Sequence, residues 1–226
     1  MGVKHVLVIA TNTKEIGPHK RPTGFFFPEI AHPYEVFDQN GIAMEFVSPL
    51  GGKPSEDGYD EKDPAQLAFR KSKAIHRLGR SRKLSEVDVL DYDAIFIPGG
   101  LGPMVDLAKD PDVKLAVARA WNAGMIVAAV CHGPVGFLGV KLEDGTPLVS
   151  GRRLTSFSNA EEDGYASEDV PFRLETALVA EGARFESTAV WQPKIVLDGR
   201  LMTGQNPASA GPLAQAIVEA LRKESP

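Results

Sequence analysis

The stretch Met125-Ile126-Val127-Ala128-Ala129-Val130-Cys131-His132-Gly133-Pro134-Val135-Gly136 decides the fold. An apolar run of strand length stops abruptly on the only cysteine of the chain, and a His-Gly-Pro turn and the start of a helix follow. Strand, tight turn and helix are the mounting of a nucleophile elbow. The small Gly133 permits the turn, and the thiol is pushed out at the sheet edge. A helix N-terminus there aims N–H groups and the positive end of its dipole at the sulfur. The position predicts a thiol biased toward thiolate. The competing reading is a buried structural cysteine that ends a core strand. The His-Gly-Pro that follows favours the reactive thiol.

Working outward, 112–123 reads as a helix closed by Gly124, and 93–98 as a strand ending in Gly99-Gly100-Leu101-Gly102-Pro103. A first strand at 6–10 is continuous and β-branched, as in a strand buried on both faces of a parallel sheet. The polar loop 11–23 after it is a candidate pocket wall, because ligands of open α/β sheets bind outside the carboxyl ends of strands. Pro28 suits a first helical turn, so a helix is expected over 29–37, interrupted near Pro33 and stopped by Gly41. A second strand is expected at 42–48. The segment 53–87 is the least sheet-like. It reads as a helical insertion, with a helix over 65–78 and a basic tail (Arg77, Arg80, Arg82, Lys83) on a solvated face. Downstream come strand material at 148–157, an acidic loop or helix start at 158–163, a helix at 173–180, a hairpin with Asp198-Gly199 at its turn, and a last helix over 208–223. Alternating strands and helices make one doubly wound α/β domain over residues 1–226, a mostly parallel sheet sandwiched by helices.

Composition narrows the function. The chain has 226 residues, of which 43% are hydrophobic and 24% charged, enough for a sizeable core. Its net charge is −5 with no long basic block, which argues against nucleic acid or an anionic membrane as partner. One cysteine cannot form an internal disulfide. The N-terminal apolar run is too short for a signal peptide, and no run reaches membrane-spanning length. A soluble, cytoplasmic protein is expected.

A thiol nucleophile needs a base. The histidines are His5, His19, His32, His76 and His132, and none follows His132. Cysteine amidotransferases and papain-like enzymes take their histidine from well downstream, so that order is excluded. His132 itself, or an upstream histidine, must serve. The His132 N–H sits one residue after the nucleophile, where an oxyanion hole expects a donor, and the Gly99-Gly100 turn can offer a second. Glu29 can approach the elbow. Buried beside a thiol it would stay protonated and shuttle protons for the sulfur, against a plain reading as a first-turn acidic residue. Glu161, Glu162 and Asp163 are candidates to orient His132, against a solvated loop. His32 reads as a satisfied structural histidine, and Trp121 and Trp191 as packing residues.

Ala129-Val130-Cys131-His132-Gly133-Pro134 resembles the elbow of the ThiJ/PfpI superfamily, which has the class I glutamine amidotransferase-like, flavodoxin-like fold. Pro28-Glu29…His32-Pro33, Val47-Ser48-Pro49-Leu50-Gly51-Gly52, Ile97-Pro98-Gly99-Gly100-Leu101-Gly102, Val149-Ser150-Gly151 and Thr203-Gly204-Gln205-Asn206-Pro207-Ala208-Ser209 fall in the matching order. The likeness covers nearly the whole chain and is nearest to the branch of heat-shock chaperones and glutathione-independent glyoxalases (glyoxalase III). It implies Cys131 as nucleophile, His132 as base, Glu29 as acidic partner of the sulfur, and a triad carboxylate at Glu162, with Glu161 beside it. Gly99, Gly100 and Leu101 would line the oxyanion and substrate site. It implies a cofactor-free, metal-free conversion of methylglyoxal to lactate through a cysteine hemithioacetal, with a small 2-oxoaldehyde as partner and a homodimer as assembly. Other expectations are a hydrolase or protein deglycase, a holdase chaperone using Phe25-Phe26-Phe27 as exposed apolar surface, or a thiol redox sensor.

Overall fold

The structure, a computed structural model, describes residues 2–223. Its centre is a seven-stranded sheet built from β1 (His5–Ile9), β2 (Ala43–Ser48), β3 (Arg82–Lys83), β4 (Ala94–Ile97), β5 (Ile126–Val130), β6 (Ile195–Asp198) and β7 (Leu201–Gly204). The order across the sheet is β6-β7-β5-β4-β1-β2-β3. Every neighbouring pair is parallel except β6 with β7, the hairpin expected around Asp198-Gly199.

The central strands are buried on both faces, and the period of two sorts their side chains. Leu7, Ile9, Ile95, Ile97, Val127 and Ala129 face one layer, where Val113, Val117 and Ala120 of α4 (Pro111–Asn122) and Leu174 and Leu178 of α6 (Leu174–Ala180) pack. Val6, Val8, Phe96, Ala128 and Val130 face the other, covered by α1 (Pro28–Gln39) and α7 (Ala210–Lys223). Asp110 caps α4 by accepting from the Asp112 and Val113 amides, and Pro111 opens it.

Several expectations are corrected. Helix α1 runs through Pro33 without interruption, because Pro33 forfeits only the bond to the Glu29 carbonyl. The helix expected over 65–78 is two, α2 (Pro64–Lys71) and α3 (Lys73–Leu78). Ser72 is extended between them and its hydroxyl accepts from the Ala74 amide, so it caps α3. Of the basic tail, Arg77 lies in the last turn of α3, whereas Arg82 and Lys83 form the sheet's edge strand beside Val47 and Ser48. Charged residues on an edge discourage further strand pairing. Of 148–157 only Arg153–Leu154 is strand, paired with Arg184–Phe185 outside the main sheet. The last helix starts later than expected, after a 3₁₀ turn at Pro207–Ser209. Phe25 and Phe27 are buried, Phe27 against Phe69, and Phe26 is half-buried, so the three phenylalanines are not an exposed apolar surface.

Among the described residues no helix is long and apolar enough to cross a membrane. The carboxyl ends of β1, β4 and β5 converge where the chain connections diverge to opposite sides of the sheet, between β1 and β4. The loops there carry the site.

Candidate active site

Cys131 follows β5 directly and takes φ +59°, a left-handed conformation unusual for a non-glycine residue and typical of strained functional positions. Two backbone bonds fix it: its N–H donates to the Gly204 carbonyl at 2.9 Å, and its carbonyl accepts the Phe157 N–H at 2.8 Å. Gly133 is required because a Cβ there would strike the Ile97 carbonyl. The elbow then continues as a five-residue 3₁₀ turn, Gly133–Phe137, and not as a long helix. Such a turn carries little of the dipole expected to favour thiolate.

His132 is fully buried next to the sulfur. Its Nδ1 lies 3.3 Å from Cys131 Sγ, and its Nε2 lies 2.8 Å from Glu162 Oε2. A carboxylate only accepts, so Glu162 places the proton on Nε2 and leaves the Nδ1 lone pair facing the thiol. The adjacent Glu161 does different work. It closes a capping box with Ser158 and accepts from the Trp191 amide and the Asn206 side chain at 2.9 and 2.8 Å. Geometry therefore separates the two neighbouring glutamates: Glu162 meets His132, and Glu161 ties the loop before β6 to helix α5 (Asn159–Asp163).

Glu29 enters from the first turn of α1 and is fully buried. Its Oε2 accepts the Gly99 N–H at 2.6 Å, while Oε1 is buried with no nitrogen or oxygen partner. The Cys131 thiol lies beside the carboxyl and opposes the rise in its pKa. Burial lifts its pKa to about 8 against the opposing pull of these neighbours, so it holds a proton at neutral pH. Burial also pushes the Cys131 thiol well above its ordinary range, and the nearby Glu29 charge adds to this; the Gly100 and His132 amides pull it back. A dry elbow thus overrides the expected bias toward thiolate, and the thiol must lose its proton to a neighbour on demand.

The Gly99 amide is committed to Glu29, and Leu101 packs into the core. Of the expected oxyanion set, the Gly100 and His132 amides are the ones directed at the sulfur. Gly100 has φ +88°, a backbone state suited to glycine. Gly99 is needed for space, since a Cβ would lie 2.6 Å from the His132 nitrogen and 2.7 Å from Cys131 Cβ.

His32 does not join this group. It pairs with Asp63 at 2.7 Å, as a structural histidine. Among the described residues no group of three or more His, Cys, Asp or Glu gathers to hold a metal. Sequence reasoning missed an aromatic wall. Phe157 lies over the His132 ring with centroids 4.5 Å apart, and Tyr165 and Trp191 pack edge-on against it at 5.6 and 5.4 Å. These rings come from three separate loops and share no spacing that a sequence reader could use.

Comparison with known proteins agrees with this arrangement. The DJ-1/PfpI family model matches residues 24–220. The glutathione-independent glyoxalase HSP31 of Saccharomyces cerevisiae is 30% identical, over 98% of this chain and all of the relative. Glyoxalase III of Candida albicans superposes with TM-score 0.86 at 27% identity, covering 96% of this chain and 97% of that one. The Rapid Encystment Protein 24 kDa of Francisella tularensis superposes with TM-score 0.92 at 30% identity, covering 97% and 99%. A cysteine on a strained elbow, a buried glutamate under it and a match over most of the length place the chain in the DJ-1/PfpI family, among relatives named as glutathione-independent glyoxalases.

Proposed function

We propose that this protein is a glutathione-independent glyoxalase that converts methylglyoxal to lactate through a hemithioacetal on Cys131. The observation that carries the reading is the buried relay from Cys131 Sγ through His132 to Glu162, with the buried Glu29 also beside the sulfur. His132 Nδ1 accepts the thiol proton as sulfur adds to the aldehyde carbon, and Glu162 steadies the imidazolium. Glu29 gives its proton to the aldehyde oxygen, which closes the hemithioacetal. The Glu29 carboxylate then takes the proton of the former aldehyde carbon while the His132 imidazolium protonates the ketone oxygen, giving an enediol. Glu29 returns its proton to the neighbouring carbon as His132 takes the hydroxyl proton of the sulfur-bearing carbon, giving the thioester of the 2-hydroxy acid. Water then cleaves the thioester, releasing lactate and restoring the thiol. The Gly100 and His132 amides stabilise oxyanions along this path. The names of the relatives from Saccharomyces and Candida support the same reaction class.

The test is lactate formation from methylglyoxal without glutathione or added metal, with Cys131→Ser in parallel. The parent should form lactate and the variant none. A folded Cys131→Ser that matches the parental rate refutes the covalent route, and a parent that releases amines from glycated peptides but no lactate moves the site to deglycase chemistry.

A further inference from the structure

The outer end of the aromatic wall is built at some cost. Trp191 takes φ +62° and the residue is 48% exposed. A left-handed backbone is strained for a bulky residue, and an exposed indole gains little by burial. Four attachments nevertheless hold its loop. The Trp191 amide donates to the buried Glu161, and the Gln192 carbonyl accepts from Asn206 at 2.7 Å. The Thr188 amide donates to the Gln205 side chain at 2.8 Å, and the Lys194 amide to the Ser209 hydroxyl at 3.0 Å. The held indole closes a triangle of edge-on rings, 5.4 Å from Phe157 and 5.9 Å from Tyr165. Phe157 lies on the imidazole that faces the thiol. Burial, with Cys131 nearby, lifts the Tyr165 pKa to about 12. Arg21 stacks on its ring at 4.8 Å and pairs with Asp169. The rings thus form a continuous chain from the imidazole beside the thiol to the half-exposed indole of Trp191.

We infer that Trp191, with Tyr165, is a specificity-determining surface that receives the substituent next to the reacting carbonyl, favouring 2-oxoaldehydes that carry a flat aryl group. A methyl substituent has no ring face to offer such a wall; a phenyl substituent does. The turnover part of this inference rests on the glyoxalase reading, and the labelling part does not.

Cys131 is the only cysteine, so alkylation of the chain's thiol reports on this site alone. Phenacyl bromide and bromoacetone each alkylate a thiol with loss of bromide and differ only in phenyl against methyl. With rates normalised to glutathione, the parent should favour phenacyl bromide by about 3- to 10-fold, the range of an aromatic contact. Trp191→Ala should bring this ratio near one, and Trp191→Phe should retain most of it. In turnover, Trp191→Ala should raise KM for phenylglyoxal more than for methylglyoxal by the same factor. A normalised parental ratio near one, or equal ratios in parent and Trp191→Ala, overturns the inference. If Trp191→Ala does not fold, Trp191→Leu decides by the same ratio. An intact alkylation preference with no turnover of either aldehyde refutes the glyoxalase reading and supports this one.

Discussion

Glu29→Gln tests the site through stability as well as activity. The folded protein holds the Glu29 proton up to about pH 8, whereas an exposed glutamate loses it near 4.5. Below pH 4.5 both folded and unfolded chains are protonated, and the residue makes stability independent of pH. Between 4.5 and 8 the unfolded chain has released the proton and the folded chain has not. Unfolding then releases a proton, so stability falls as pH rises across this window and levels off above 8. At ~1.4 kcal/mol per pH unit, the cost accumulated by pH 7 is about 3 kcal/mol. Glutamine keeps the shape, can accept the Gly99 N–H through its carbonyl, and carries no charge to desolvate. Glu29→Gln should therefore be more stable than the parent by about 2–3 kcal/mol at pH 7, with the gap closing toward pH 4.5. Its kcat should fall ~10²–10⁴-fold, the usual loss when a proton shuttle is removed. Urea unfolding of both proteins at pH 5, 6, 7 and 8 reads the difference directly. A difference that does not change with pH would mean that Glu29 is ionised in the folded state, and the proton-donor role would fall with it.

Glu162→Gln should lower kcat about 10²–10³-fold with the fold intact, because an amide can present its N–H to Nε2 and reverse the imidazole tautomer; near-parental kcat in a pH profile would refute the relay. Glu161→Gln should change kcat less and loosen the 186–194 loop, read as faster amide exchange at Trp191 and Gln192. Gly99→Ala should destabilise by about 1–3 kcal/mol and abolish most activity, since its methyl would press on His132, Cys131 and Glu29 together; a parental melting temperature would show that the turn can yield.

What the sequence made legible follows the range of each signal. The strand at Ile126–Val130 and the α4 helix are local patterns, and they appear where apolar run, proline and capping aspartate put them. The edge strand at Arg82–Lys83 has no such pattern, since two charged residues become strand only because Val47 and Ser48 offer free backbone groups beside them. The same limit governs the site. Cys131, His132 and Glu29 could be picked from the elbow and the first helical turn, but Glu161 and Glu162 differ by one position on α5. The side each faces depends on a helix phase set by Ser158 and on the places where Asn206 and Trp191 arrive.

The expected bias toward thiolate fails for a related reason. A strand-to-turn junction announces N–H groups, which favour thiolate, but it does not announce the depth at which they sit. In the folded chain burial exceeds their pull, and the adjacent carboxyl keeps its proton and not its charge. That balance makes chemical sense for a one-residue nucleophile with no helix behind it. A permanent thiolate beside an ionised Glu29 would place two negative charges in one dry pocket. A neutral pair with His132 Nδ1 at 3.3 Å avoids this, forming the thiolate only as the substrate carbonyl arrives to consume it. The thiol should accordingly resist oxidation and alkylation in the resting protein. Glu29→Gln, which abolishes the carboxylate, should speed iodoacetamide labelling of Cys131 above pH 8, where the parent carries the Glu29 charge. Equal labelling rates from pH 7 to 10 would show that the carboxyl does not control the sulfur.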